Sequence, residues 1–271
     1  MADLVTISIE DHVADVRFNR PEKYNSLSIP MFKAIIEAGE SLMKENTVRA
    51  VVLSGNGKGF CAGLDFDNFQ KMDSASPDNE NESFSLYQTN ENSPANMAQY
   101  AAWVWRQVPV PVIVALHGVA FGGGLQIALG TDIRLAKPDV RLSVMEIKWG
   151  LIPDMTASQS LRDLVRLDVA KELTFTGRIV DGREAEKIGL VTRICDDPLA
   201  EAFKLAKEIA SKSPHAIRSG KQLLQENWHG DEATGLRREE KIESTLIATP
   251  NQIEAIMANF EKREPHFQDP E

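Results

Sequence analysis

The apolar positions along this 271-residue chain change their period several times, and each change marks an element. Residues 4–10 alternate, residues 13–18 repeat the alternation after Glu10-Asp11-His12, and together they predict a β-hairpin. The runs at 50–54 (AVVLS) and 112–116 (VIVAL) are short, unbroken and rich in β-branched residues, which predicts buried strands. Residues 132–136 and 141–144 predict two more. Helical spacing covers about 30–44, with Ser28 as N-cap and Pro30 in the first turn, where proline is tolerated. It returns over 97–107, with Trp103 and Val104 facing inward, over 156–165 and 170–176, and in a short helix ending at Gly189 before a strand at 190–194. From Leu199 the pattern is helical throughout, over 199–212, 214–227, 234–248 and 251–262. Strand and helix units followed by a helical tail predict a mixed α/β architecture, divided into residues 1–198 and 199–271.

Two turns after predicted strands are rich in glycine. The first contains Gly55, Gly57, Gly59 and Gly63; the second runs from His117 through Gly118 and Gly122-Gly123-Gly124 into an alanine- and leucine-rich helix. The first N–H groups of a helix lack internal partners, and missing Cβ atoms let a ligand approach the main chain, so the triple glycine reads as an anion site. It reads equally as a corner that needs close packing. The first turn has Gly-x-Gly-x-Gly spacing, with no crossover ending in an acidic residue, which argues against dinucleotide binding. Between the turns, residues 66–97 are rich in Asp, Glu, Asn and Ser and predict either a lid or a solvated insertion.

Composition narrows the classes. With 42% hydrophobic and 26% charged residues the chain can bury a sizeable core. A net charge of −10 without a basic cluster excludes nucleic acid as an expected partner. Cys61 and Cys195 are too few for a disulfide framework, and the five histidines are scattered, so no metal site is expected. The first residues carry no leader pattern and no apolar run reaches spanning length, so the expectation is a soluble cytoplasmic protein without membrane insertion.

Taken in order, Asn19 to Leu27 (NRPEKYNSL), Gly59 to Asp65 (GFCAGLD), Gly118 to Ile127, Thr176-Gly177-Arg178, Ala185 to Val191 and Phe260 to Arg263 resemble the crotonase (enoyl-CoA hydratase/isomerase) superfamily along nearly the whole chain. The resemblance implies a right-handed ββα spiral with a C-terminal helical region that mediates homotrimers, often paired into hexamers. It also implies an acyl-CoA substrate of fatty acid metabolism and no cofactor beyond the coenzyme A that the substrate carries. By carry-over, the backbone amides of Ala62 and Gly123 form an oxyanion hole for a thioester enolate, and Ala62, Gly63, Leu64 and Asp65 line the CoA region. Such donors act where water is excluded, and removing one costs about 3–4 kcal/mol.

The resemblance also bears on the reaction. Hydratases of this family use two glutamates; one falls at Glu146, the other at Gln126, and an amide does not titrate. One carboxylate suffices to move a double bond from the 3- to the 2-position of an enoyl thioester, which favours isomerisation with Glu146 as acid/base. Asp154 resembles an aspartate of dienoyl-CoA isomerases; taken alone, it is equally an N-cap for the helix near Thr156. Hydration is the next alternative. A dehalogenase-like hydrolase with Asp154 as nucleophile and a CoA-binding protein without turnover also stay open.

Overall fold

The computed structural model describes residues 3–65, 86 and 93–271. Its larger sheet has six strands, β1 (Val5–Glu10), β2 (Val13–Phe18), β3 (Ala50–Gly55), β4 (Val112–Leu116), β6 (Ile133–Ala136) and β9 (Arg193–Ile194), in that spatial order. The β1–β2 hairpin is antiparallel and the remaining pairs are parallel. A smaller sheet joins β5 (Val119–Phe121), β7 (Arg141–Ser143) and β8 (Val180–Asp181). The chain visits the large sheet, then the small one, then a helix, and repeats. Thus β4 and β5 lead to α3 (Gly123–Leu129), and β6 and β7 lead to a 3-10 turn (Glu146–Trp149), α4 (Ala157–Leu164) and α5 (Leu167–Thr176).

Burial explains the unbroken apolar runs of the central strands. Val51, Leu53, Val112 and Val114 pack into the main core with α1 (Ile29–Met43) and α2 (Met97–Gln107), while Ala50, Val52, Ile113 and Ala115 face a second core. That second core is closed by Ala202, Ala206 and Ala210, one stripe of α7 (Pro198–Ala210). Alanines at this four-residue spacing let the helix lie close on a sheet buried on both faces. The first helix beyond residue 198 is therefore part of the core, and α8 (Pro214–Asn227), α9 (Glu232–Leu246) and α10 (Pro250–Glu261) lie outside it. Buried Lys221 of α8 ties this region to the sheet through Asp132 at 2.6 Å and the Val110 carbonyl at 3.0 Å.

Two local expectations shift. In α2 it is Trp105, with Val104, that is fully buried, while Trp103 is only partly covered. The strand expected over 190–194 shortens to Arg193–Ile194. Gly189 takes φ +87 after α6 (Gly182–Ile188), and the amides of Leu190 and Val191 turn back onto the Ala185 carbonyl, out of reach of the sheet. Ser28 caps α1 by accepting from the Met31 amide, as its place before Pro30 suggests. Most of the segment read as a lid, at 66–97, lies outside the described residues.

Candidate active site

The two glycine-rich corners are bonded to each other. The Phe60 amide donates to the His117 carbonyl (3.1 Å), the Cys61 amide to Val119 (3.1 Å), and the Phe121 amide back to Cys61 (3.0 Å). Closeness requires glycine at two positions in particular. A Cβ on Gly118, where φ is +61, would lie 1.9 Å from the Lys58 carbonyl oxygen. A Cβ on Gly63, where φ is +87, would lie 2.7 Å from the Phe121 oxygen and 3.8 Å from the Gly123 nitrogen. Asn25, wholly buried and itself left-handed at φ +55, holds the first corner from beneath, with its Nδ2 3.0 Å from the carbonyls of Asn56, Gly59 and Phe60. Asparagine tolerates that conformation, which is the one sequence signal for this role.

Hydrogen bonding then decides which amides remain available. The Ala62 N–H donates to the Tyr24 carbonyl at 2.9 Å, so the expectation that Ala62 serves as an oxyanion donor is corrected: its hydrogen is committed. Leu27 bonds on either side of Leu64, donating to Gly63 and accepting from Asp65, so the Leu64 amide points away from Leu27. In the second corner Gly122 donates to Ser143 at 3.0 Å, whereas Gly123 heads α3. The amides of Leu64 and Gly123 have no partner among the described residues.

Both corners line a cavity of about 650 Å³, together with Leu27, Phe32, Met145, Glu146, Asp154 and Met155. Ala62, Gly63, Leu64, Asp65 and Gly123 are all on its wall, as is Leu86. Asp65 is buried and paired with Arg20 at 2.5 Å, an ion pair that braces the corner.

Glu146 begins the 3-10 turn after β7 and is 8% exposed. A Cβ on Gly122 would stand 3.2 Å from its Oε1, so its carboxyl lies against the second corner. Oε1 accepts from Gln126 Nε2 at 2.6 Å; Oε2 is buried and has no partner among the described residues. Burial is the main cause that pushes the Glu146 carboxyl above the ordinary range; the Gln126 hydrogen bond opposes this and the nearby Asp154 adds to it. Gln126, 1% exposed, accepts with its own Oε1 from the amides of Met155 (2.8 Å) and Ala157 (3.1 Å).

Asp154 lies partly buried on the cavity wall, and burial raises its carboxyl as well. The alternative that it caps the next helix does not hold, because the cap position belongs to Thr156, which makes no side-chain capping bond, and the Gln126 side chain takes the amides of Met155 and Ala157. Thr156 is left-handed at φ +73, unusual for a β-branched residue, and its hydroxyl is buried without a partner among the described residues. Cys61, fully buried against these corners with its thiol pushed up to about 12 by burial, is a packing residue. Among the described residues no group of three or more His, Cys, Asp or Glu is placed to hold a metal ion, and no helix is long and apolar enough to cross a membrane.

Comparison with known proteins gives the same direction. The family model described as enoyl-CoA hydratase/isomerase matches residues 8–270. Human mitochondrial methylglutaconyl-CoA hydratase is 32% identical over 256 residues, covering 92% of this chain and 71% of that protein. The crystal structure of an enoyl-CoA hydratase from Bacillus anthracis superposes with a TM-score of 0.86 at 29% identity, over 97% of this chain and 98% of that one. The enoyl-CoA hydratase of Mycobacterium smegmatis gives 0.83 at 28% identity, over 97% and 98%. The architecture is that of the ββα spiral followed by C-terminal helices.

Proposed function

The chain belongs to the enoyl-CoA hydratase/isomerase family, and from that premise we propose that it isomerises an enoyl-CoA thioester through an enolate, with Glu146 as the only base required. The thioester oxygen sits between the amides of Leu64 and Gly123, whose lack of other partners among the described residues supports this role. Donors fixed in advance in a water-poor cavity stabilise the charge that develops there by about 3–4 kcal/mol each. Glu146 Oε2 takes a proton from the carbon beside the carbonyl, and the C–H electron pair moves into a dienolate spread over the 3,4-double bond. The same carboxyl returns the proton two carbons further along, leaving the double bond at the 2-position. No atom is gained or lost.

The observation that carries this reading is the inequality of the two Glu146 oxygens, one held by Gln126 and one buried and unpartnered among the described residues. Hydration needs a second group to activate water, and the Gln126 side chain is fully engaged at both ends. A second version is supported by Asp154: its carboxyl shares the cavity and acts electrostatically on Glu146, a pairing suited to relaying a proton along a conjugated diene. The test is a set of 3-enoyl, 2-enoyl and dienoyl thioesters followed by product analysis. Conversion of 3-enoyl to 2-enoyl thioester without uptake of water supports isomerisation; formation of a 3-hydroxyacyl thioester from the 2-enoyl substrate would replace it with hydration. We also propose assembly as a trimer or hexamer. Leu224, Trp228, Leu236, Ile247 and Phe260, exposed on and beside the outer C-terminal helices, supply apolar surface for it. A monomer by light scattering would exclude it.

A further inference from the structure

Gln126 is buried at the point where three segments meet: α3, the Glu146 turn and the turn before α4. Its orientation follows from its neighbours. Two backbone N–H groups, from Met155 and Ala157, can be accepted only by the carboxamide oxygen, so the NH₂ must face Glu146. Glu146 Oε1 is thereby an obligatory acceptor at 2.6 Å, which favours Oε2 as the oxygen that takes a proton.

The other end of the same side chain holds a turn that local forces do not favour. Thr156 sits in the left-handed region with a buried, unpartnered hydroxyl, and the first amides of α4 have no capping side chain of their own. The two hydrogen bonds to Gln126 offset that strain and fix Met155, whose sulfur is packed where a Cβ on Gly123 would come within 2.7 Å of it. One carboxamide therefore links the base, the cavity wall beside the Gly123 amide and the turn that carries Asp154.

We infer that Gln126 is the positioning residue of this site: it makes Glu146 a base with one working oxygen and couples that oxygen's aim to the turn at 153–157. The inference rests on Glu146 being the base. The charged groups on the same cavity wall are Lys23, Asp65, Arg141, Lys148 and Asp154, and of these Asp154 is the one that acts on the Glu146 carboxyl. An amide, unlike a carboxylate, serves both ends at once. A glutamate at 126 would still accept from Met155 and Ala157, but its second oxygen would stand against Glu146 Oε1 and require a shared proton.

The experiment is the pH profile of kcat for Gln126→Glu, with Glu146→Gln measured in parallel. The account expects the acid limb of Gln126→Glu to move upward by about one pH unit or more, as for two carboxyls sharing one proton. Turnover at the acid end should fall about tenfold or more with KM little changed, and Tm should match the unmodified protein at acid pH and drop below it as pH rises and the second buried carboxyl must ionise. An acid limb superimposable on that of the unmodified protein, with Glu146→Gln inactive, would overturn the role of Gln126 alone. Wild-type turnover in Glu146→Gln would instead remove the base on which the role rests. If Gln126→Glu does not fold, Gln126→Met keeps the length and adds no charge, but removes both the donor to Glu146 and the acceptor of the Met155 and Ala157 amides. Loss of the hydrogen bond that favours the ionised form should again raise the acid limb and lower kcat, with KM rising as the wall at Met155 loosens, and an unchanged profile there overturns the inference.

Discussion

The strand Ala50–Gly55 and the segment from Met145 to Ala157 are built under opposite constraints. Every residue of the strand is buried, its backbone is paired on both sides, and its one unmet polar atom is the neutral Ser54 hydroxyl. The later segment holds a buried carboxylate oxygen and a buried hydroxyl without partners among the described residues, a left-handed threonine, and two exposed apolar side chains, Leu151 and Ile152. Strain and unmet polar atoms are sustained only where the surroundings over-determine the conformation. Here the surroundings are the zipped glycine corners and the Gln126 side chain. The contrast separates the region that makes the fold from the region that gives up stability for chemistry, and each half can be tested against the other.

The largest effect should come from Glu146→Gln. A positioned acid/base group contributes about 10²–10⁴ in rate, so kcat should fall by that factor while CoA affinity holds. The same variant should be more stable at neutral pH. The folded protein raises this carboxyl above its ordinary value, so the stability present below the ordinary glutamate range is lost as pH rises through the raised value. The gain in Tm should therefore vanish on acidification, and each kcal/mol recovered corresponds to roughly 2–4 °C for a chain of this size. Leu53→Ala probes the other half. It removes a wholly buried side chain from the main core and should cost about 2–5 kcal/mol in denaturant unfolding, with KM unchanged in the folded fraction. A KM shift there would mean that sheet and site are not separable.

Smaller effects sharpen the boundary. Thr156→Gly removes a β-branched side chain from φ +73 and a buried unpartnered hydroxyl, and should stabilise by about 1 kcal/mol despite the added freedom of the unfolded chain. Destabilisation would show that the threonine makes a contribution this account omits. Asp154→Asn should leave 3-enoyl isomerisation within about threefold, since one carboxylate completes that cycle, but should abolish turnover of a conjugated diene if Asp154 relays the proton.

How much of this was legible beforehand depended on the range of the interaction. Strands at 50–54 and 112–116, the Ser28 cap and the glycine corners follow from local pattern, and the structure keeps them. Glu146, Asp154 and the two corners could be assigned to one site only through the family resemblance. What sequence could not supply was the bookkeeping of single hydrogens across the fold. The resemblance makes the Ala62 amide an oxyanion donor, whereas the Tyr24 carbonyl, set by the left-handed turn at Tyr24-Asn25, takes that hydrogen. Taken alone, Asp154 is equally a cap or a site carboxyl, and what decides against the cap is Gln126 reaching across from α3 to the amides of Met155 and Ala157. Gln126 itself read as a missing acid, whereas its hydrogen bonds make it a connection between two segments.

The most direct measurement is deuterium exchange from solvent into the carbon beside the thioester carbonyl of a bound acyl-CoA, for the unmodified protein and Glu146→Gln. The account predicts exchange in the former, reduced by about 10² or more in the latter at equal CoA occupancy. Equal exchange rates in the two proteins, or no exchange in the unmodified protein with any acyl thioester bound, would contradict it.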